Sequence, residues 1–281
     1  MGYTTGLPSL DAALGGLEGL VEISGPESSG KTTLAYHILR RGGLYIGTEA
    51  WYDPTLAPGL VDEDRLAVLR PRFGEAAFEA AYDYLPGRVV IDSVSVLQPA
   101  SCRHLRLHDD EQAGDRSRML AYGARMLAKA CREKGGLVVF IHQIRQNIGK
   151  KFSGPTRVPY GRGSKVFGSI SMKTRRGAPL RRGYKEVGLS ISIEVTKNVF
   201  RSPGSKISLD LSYGEGFRRS ASLLDWAIGL GVIEKTGSWY RFEDEMIGQG
   251  RDNACLTIEE RALWLRILEK ASHAARSSRL Q

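Results

Sequence analysis

Short runs of nearly continuous apolar residues recur through the first half of the chain. They are Leu20-Val21-Glu22-Ile23, the segment 43–49, the shorter Leu66-Ala67-Val68-Leu69, Val89-Val90-Ile91 and Leu137-Val138-Val139-Phe140-Ile141. Between them lie stretches with helical spacing: Thr33 to Leu39, patches within 54–84, and a long helix over 116–133. Strands that are apolar on both faces and alternate with helices predict a parallel sheet covered on both sides. The residues before the first strand read as a turn and a short helix, with Ser9 as its N-cap and Leu10, Ala13 and Leu14 on one face. After residue 168 the period shortens to two. Segments 169–175 and 188–196 alternate like antiparallel strands joined by a basic turn over 175–185, and 206–213 adds a strand ending in Gly214-Glu215-Gly216. From Ser222 the order becomes helix, short hairpin (237–242) and a helix over 257–271, with Trp226, Trp239 and Trp264 as its core. The fold class predicted is α/β, a largely parallel central sheet followed by a small α+β unit, with domains at 1–217 and 218–281.

Composition adds little to this picture until charge is placed along the chain. The sequence has 281 residues, 42% hydrophobic and 25% charged, ordinary for a globular protein with a full core. No apolar run reaches membrane-spanning length, and the first residues have neither the basic segment nor the apolar core of a signal peptide. Cys102, Cys131 and Cys255 lack metal-ligand spacing and read as reduced thiols, so a cytoplasmic location is expected. The net charge of +9 suits a polyanionic partner, and its distribution sharpens the point. From Ile144 through Lys185 there are twelve Lys and Arg and no Asp or Glu. A solvated basic face usually interleaves acids, so the long acid-free stretch points to contact with a phosphate backbone.

The chemistry is announced by Gly25-Pro26-Glu27-Ser28-Ser29-Gly30-Lys31-Thr32-Thr33, which fits the phosphate-loop pattern GxxxxGK[ST] between a predicted strand and a predicted helix. Glycines let backbone N–H groups close around phosphate oxygens, and the helix N-terminus adds partial positive charge. Lys31 is placed to reach the β- and γ-phosphates and the Thr32 hydroxyl to take Mg²⁺. A Gly/Ser turn that merely precedes a helix is the plainer reading, and the flanking strand and helix argue against it. Three further strands end in polar groups: Glu49, Asp92 and Gln143. In parallel sheets ligands sit at the carboxyl ends of the strands. Asp92 reads as a helix cap or as the acid that holds Mg²⁺ through water. Glu49 reads as a surface acid or as the general base for the water that attacks the γ-phosphate. Gln143, leading into the basic stretch, is placed to sense the γ-phosphate.

These residues, with Leu10-Asp11-Ala12-Ala13-Leu14-Gly15, Ile91-Asp92-Ser93-Val94, Phe140-Ile141-His142-Gln143-Ile144-Arg145, Val195-Thr196-Lys197-Asn198, Tyr213-Gly214-Glu215-Gly216 and Ile247-Gly248-Gln249-Gly250, closely resemble the RecA family of homologous recombinases, over nearly the whole chain. The resemblance implies a RecA-like P-loop ATPase core that uses ATP and Mg²⁺. It implies Glu49 as the activator of water, Gln143 as the link between ATP and DNA, Asp53 in contact with adenine, and Tyr213 and Gly214 among the nucleotide-binding residues. It further implies Lys197 reaching the ATP of a neighbouring protomer in a helical filament. Two DNA-binding segments map to 110–118, with Arg116 and Arg118, and to 144–163, extended here to Lys165. The second contributes Arg145, Gln146, Asn147, Lys150, Lys151, Arg157, Arg162 and Lys165, and falls inside the acid-free stretch. The C-terminal unit resembles the family's duplex-gathering module.

Several positions depart from the family pattern. A second trans-acting lysine is Val199, with Arg201 as the candidate replacement, and the aromatic usually stacked on adenine is Leu56. A Gly-Gly pair reads Gly161-Arg162, the Asn before the glutamine is His142, and an aromatic relay position is Val166. The sequence starts at the residues just before the core, so a filament contact other than the family's N-terminal helix and strand is expected. It ends without the family's acidic tail, so less restrained DNA binding is expected. The expected function is that of a DNA-dependent ATPase that coats single-stranded DNA and promotes pairing and strand exchange with a duplex. The alternatives are a non-filamenting accessory ATPase of the same fold and a small-molecule kinase, for which the sequence supplies no lid or acceptor pocket.

Overall fold

The computed structural model describes residues 2–49, 52–104, 114–146, 156–157 and 166–277. The apolar runs form one nine-stranded sheet. Its parallel half comprises β1 (Gly19–Gly25), β2 (Gly43–Gly47), β3 (Leu66–Leu69), β4 (Arg88–Asp92) and β5 (Leu137–Gln143). After the two-residue strands β6 (Arg145–Gln146) and β7 (Thr156–Arg157) come β8 (Ile170–Arg182), β9 (Lys185–Asn198), β10 (Lys206–Ser212) and β11 (Gly216–Phe217). The order across the sheet is β11-β10-β9-β8-β1-β5-β4-β2-β3, with β8 parallel to β1 and antiparallel to β9. β1 thus lies centrally and is buried from Leu20 to Gly25, as its apolar sequence requires.

Helices cover both faces. α1 (Pro8–Leu14) and α2 (Lys31–Leu39) pack on Val21, Ile23, Val139 and Ile141, while α3 (Gly74–Tyr84) and α4 (Asp115–Lys134) pack on Leu20, Val138 and Phe140. Alternate residues of one strand therefore feed two separate cores. α4 buries Leu120, Ala124, Leu127, Ala128 and Cys131 at helical spacing, the stripe expected from its sequence.

A third cluster belongs to the C-terminal residues. α5 (Arg219–Gly229), the antiparallel strands β12 (Ile233–Thr236), β13 (Trp239–Phe242) and β14 (Glu245–Gln249), α6 (Arg251–Glu259) and α7 (Arg261–Ser277) enclose Leu223, Leu224, Phe242, Ile258 and Ile267.

Five local expectations are corrected. Ser9 does not cap α1. Pro8 opens the helix after Leu7, and the Ser9 backbone N–H donates to Ser222 Oγ (3.1 Å), with a hydroxyl pair at 2.8 Å, tying α1 to α5. The basic segment 175–185 is not a turn but the outer half of a β8–β9 hairpin. Its residues are largely exposed and lose the alternation of burial, while the ladder of backbone bonds continues to Arg182. The hairpin at 237–242 gains a third strand, β14. The single helix expected over 257–271 breaks at Glu260, whose backbone is extended. Of the three tryptophans expected in the C-terminal core, Trp226 and Trp264 pack partly buried against it, whereas Trp239 is 47% exposed.

Candidate active site

The phosphate loop joins the end of β1 to the start of α2. Gly25 has no room for a side chain: a Cβ there would stand 2.1 Å from Thr174 Oγ1 and 2.6 Å from Ser29 Oγ. Gly30, the N-cap of α2, has φ 77°, a left-handed conformation that favours glycine. Ser28 shares that region with φ 54°, a strained choice for a residue with a side chain, and one found at ligand-binding turns. Ser29 Oγ, fully buried, donates to Pro26 O (2.7 Å) and pairs with Thr174 Oγ1 of β8 (2.6 Å). The loop is thereby fixed from inside and presents its backbone outward.

Lys31 is 8% exposed and its Nζ donates to Pro26 O (2.6 Å). Burial lowers its pKa, opposed by Asp92, Glu49 and Glu27. The Thr32 hydroxyl donates to Asp92 Oδ2 (2.7 Å), as does the Tyr45 hydroxyl (3.2 Å). Burial raises the Asp92 pKa against these two bonds, and burial followed by the charge of Asp92 raises that of Tyr45. Glu49 stands at the carboxyl end of β2, with its two oxygens taken by Ser93 Oγ and by Gln143 Nε2 as donors. Thus Lys31, Thr32, Glu49, Asp92 and Gln143, separated by up to 112 positions in sequence, converge because β1, β2, β4 and β5 point the same way.

The residues fit a magnesium-bound nucleoside triphosphate. A backbone cradle that excludes Cβ atoms, a buried lysine, and a hydroxyl beside a carboxylate form the donor set for phosphate and a hydrated Mg²⁺.

Other expected site residues lie around this centre. Asp53 caps a 3₁₀ turn (Pro54–Leu56), accepting from Thr55 N (2.9 Å) and Thr55 Oγ1 (2.6 Å), and its own N–H donates to the Tyr36 hydroxyl (2.9 Å). Tyr213 donates to Glu186 (2.7 Å) and Gly214 takes φ 75°. The turn they form leads to Gly216, where a Cβ would meet Ala57 and Leu60 at 3.4 Å, so the Asp53 and Tyr213 segments border one flank of α2. Lys197 stands two strands away from β1 and donates from Nζ to Val166 O (3.1 Å), turned toward the segment that precedes β8. Arg201 donates to Ala12 O (2.5 Å) and lies against Gly15, engaged within its own chain.

Arg116 donates to the Ser95 carbonyl, and Arg118 lies 3.9 Å from Asp115 at the exposed start of α4. β6 and β7 pair Arg145 with Arg157 and Gln146 with Thr156 as a separate two-stranded antiparallel ribbon. Asn147, Lys150, Lys151, Arg162 and Lys165 lie outside the described residues.

Sequence reasoning missed the supporting groups. Ser93 touches Glu49, Ser95 Oγ accepts from Gln143 N (3.0 Å), and Tyr36, Tyr45 and Tyr52 form an aromatic cluster with centroids 4.9–5.9 Å apart under Asp53 and Asp92. Tyr45 was legible in principle, since it shares a strand face with residues 47 and 49. Thr174 carries no local signal, being 145 positions from its partner Ser29. His142 is buried 3.5 Å from Glu22, a polar pair on the face of β5 opposite Gln143.

A phosphate loop on the central strand, with an acid at the end of β4, one strand beyond β5, and a carboxylate held beside a glutamine, defines a P-loop ATPase. Comparison with known proteins narrows the class. Residues 2–218 match the RecA N-terminal domain and residues 221–274 the RecA C-terminal domain. The chain is 39% identical to Protein RecA of Rubrobacter xylanophilus over 272 residues, which covers 92% of this chain and 79% of that protein. Identity to Protein RecA of Acholeplasma laidlawii is 35% over 290 residues, covering 95% and 85%. With Protein RecA of Halalkalibacterium halodurans it is 36% over 273 residues, covering 92% and 78%. The chain belongs to the RecA family, whose members are DNA-dependent ATPases of homologous recombination and repair.

Proposed function

We propose that the chain binds ATP with Mg²⁺ in the Gly25–Thr33 loop, assembles on single-stranded DNA as a helical homo-oligomer, and promotes pairing and strand exchange with a homologous duplex. The observation that carries this reading is the meeting of Thr32 with Asp92 and of Glu49 with Gln143 at one edge of the parallel sheet. Thr32 and Asp92 would hold Mg²⁺, which when bound neutralises charge on the β- and γ-phosphates. Lys31 stabilises the same oxygens, and Glu49 accepts the proton of the attacking water. The Gln143 amide now given to Glu49 has a competing acceptor in a γ-phosphate oxygen. Moving it from one to the other frees a carboxylate oxygen for water and shifts the end of β5, from which the basic segment departs. That exchange is the coupling step proposed between ATP and DNA. Asp53, Tyr213 and Gly214 flank the base, and Lys197 serves the ATP of the adjacent protomer.

DNA contact is assigned to Arg116, Arg118, Arg145, Gln146, Asn147, Lys150, Lys151, Arg157, Arg162 and Lys165. The division into 1–217, carrying ATP and single-stranded DNA, and 218–281, gathering duplex, goes with this reading, as does action in the cytoplasm. No helix among the described residues is long and apolar enough to cross a membrane. A non-filamenting accessory role is not favoured, since the relatives match over both parts of the chain.

The test is ATP hydrolysis with and without single-stranded DNA as protein concentration is varied. Hydrolysis that depends on DNA and rises cooperatively with protein is expected. A rate indifferent to DNA and linear in protein would overturn the assignment.

A further inference from the structure

The turn after β4 does more for the site than supply Asp92. Ser93 is fully buried, and its three polar groups are all committed. Its backbone N–H donates to Thr48 Oγ1 (2.8 Å) and its carbonyl accepts from the same hydroxyl (2.6 Å). A third bond, Thr48 N to Asp92 O (2.9 Å), closes the lattice between the ends of β2 and β4. The backbone of Ser93 is therefore fixed by the residue that immediately precedes Glu49. Its hydroxyl, free of any need to hold the backbone, donates to Glu49 Oε1. Two residues on, Ser95 Oγ accepts the Gln143 backbone N–H (3.0 Å), and the Ser95 carbonyl accepts from Arg116. One short turn thus holds the carboxylate through Ser93 and the backbone of the glutamine through Ser95.

We infer that Ser93 is a positioning residue for hydrolysis, its hydroxyl holding the Glu49 carboxylate in the orientation that accepts the proton of the attacking water. This rests on Glu49 being the base. A carboxylate on a Cα–Cβ–Cγ stem rotates about three bonds, and a fixed donor on one oxygen removes most of that freedom. The two donors on Glu49 differ in kind. Gln143 reaches from a strand end beside the basic segment and has an alternative acceptor in the γ-phosphate. Ser93 sits in a rigid turn and keeps its bond while Gln143 exchanges, so one oxygen is anchored and the other becomes available. The carboxylate oxygen that takes the proton is then Oε2, the one that Gln143 vacates. The proton passes from water to that oxygen as the water oxygen bonds to the γ-phosphorus and the bond to the β-γ bridging oxygen breaks.

The effect is read by steady-state hydrolysis with saturating single-stranded DNA, and by binding of a non-hydrolysable ATP analogue. Ser93→Ala removes only the hydroxyl and leaves both backbone bonds to Thr48. It is expected to lower kcat about 10- to 100-fold, the scale of a misplaced catalytic group, with KM and analogue affinity within about twofold of wild type. Ser93→Thr, which keeps the hydroxyl, is expected to recover most of the rate. Equal losses in the two variants, or a raised KM in Ser93→Ala, would assign Ser93 a structural role and overturn the inference. So would a Ser93→Ala rate within about twofold of wild type. Glu49→Gln measured alongside separates the two claims. If it binds the analogue but does not turn over while Ser93→Ala is normal, only the inference fails; if it turns over normally, the assignment of the base fails.

Discussion

At the residue scale, the chemistry near the phosphate loop depends on groups whose charge is set by burial. His37, in the last turn of α2, is fully buried, and its Nε2 accepts the Phe217 backbone N–H (3.0 Å). The ring proton must therefore sit on Nδ1, which has no hydrogen-bond partner among the described residues. Burial pushes its pKa down from 6.5 to about 3, with Arg219 and Arg40 adding to the effect. A histidine whose folded pKa is depressed stays neutral in the fold while the unfolded chain takes up its proton below 6.5. Stability from this residue is thus complete above pH 6.5 and lost as pH falls toward 3. Wild type is expected to lose about 2 kcal/mol more between pH 7.5 and pH 5 than His37→Gln, which keeps an acceptor for Phe217 but does not titrate. Denaturant unfolding at the two pH values checks this, and parallel losses in both proteins would refute it. The same scale explains Asp53. Its carboxylate, read from sequence as a nucleotide contact, already caps the turn that presents it, and the bonds from Thr55 lower its pKa.

At the element scale, two of the joints between the C-terminal helices and the rest of the chain are side-chain contacts that were not visible in sequence. One is the pair of serines, Ser9 and Ser222. The other is Arg251 at the start of α6, which reaches Asp210 of β10 (3.0 Å) and both oxygens of Asp225 of α5. Asp225 raises the Arg251 pKa most, against the cost of burial. Three polar groups from three elements meet, so removing the cation leaves two carboxylates facing each other. Because the site is partly exposed, the loss for Arg251→Ala is set at about 1–2 kcal/mol. Tryptophan fluorescence during chemical unfolding reads it, since Trp226, Trp239 and Trp264 lie in this part of the chain. An unchanged midpoint would show the joint to be dispensable. Elements also explain which structural expectations failed. Alternation marks a strand only where one face is buried. The outer half of the β8–β9 hairpin has both faces in solvent, so its strand character rests on backbone pairing that composition does not reveal.

At the scale of the whole molecule, charge governs association with DNA. The proposed phosphate contacts of Arg145, Lys150, Lys151, Arg157, Arg162 and Lys165 would release about six counterions per protomer. On a single strand that gives a slope of log affinity against log salt near −4, with little preference for base sequence. Replacing Lys150 and Lys151 by Gln should reduce the slope by about 1.4. Affinity measured from about 50 to 200 mM salt decides this, and a slope shallower than about −1 would remove the basic segment from the interface.

The sequence by itself determined what adjacent residues can encode. The phosphate loop, its flanking strand and helix, the apolar runs that must be buried, and the acid-free stretch after Gln143 are all contiguous signals, each with a local physical cause. It also marked Glu49, Asp92 and Gln143 individually as polar ends of buried strands. What only the tertiary structure decided is which of these meet, and through what. The strand order puts β5 beside β1, then β4, then β2, and from that follow the bonds of Thr32 to Asp92 and of Gln143 to Glu49. Two of the groups that hold the site in place, Ser93 and Thr174, were not legible as partners. A hydroxyl near a strand end has no preferred mate until packing supplies one, and a hydrogen bond across scores of residues leaves no periodicity in the chain that makes it.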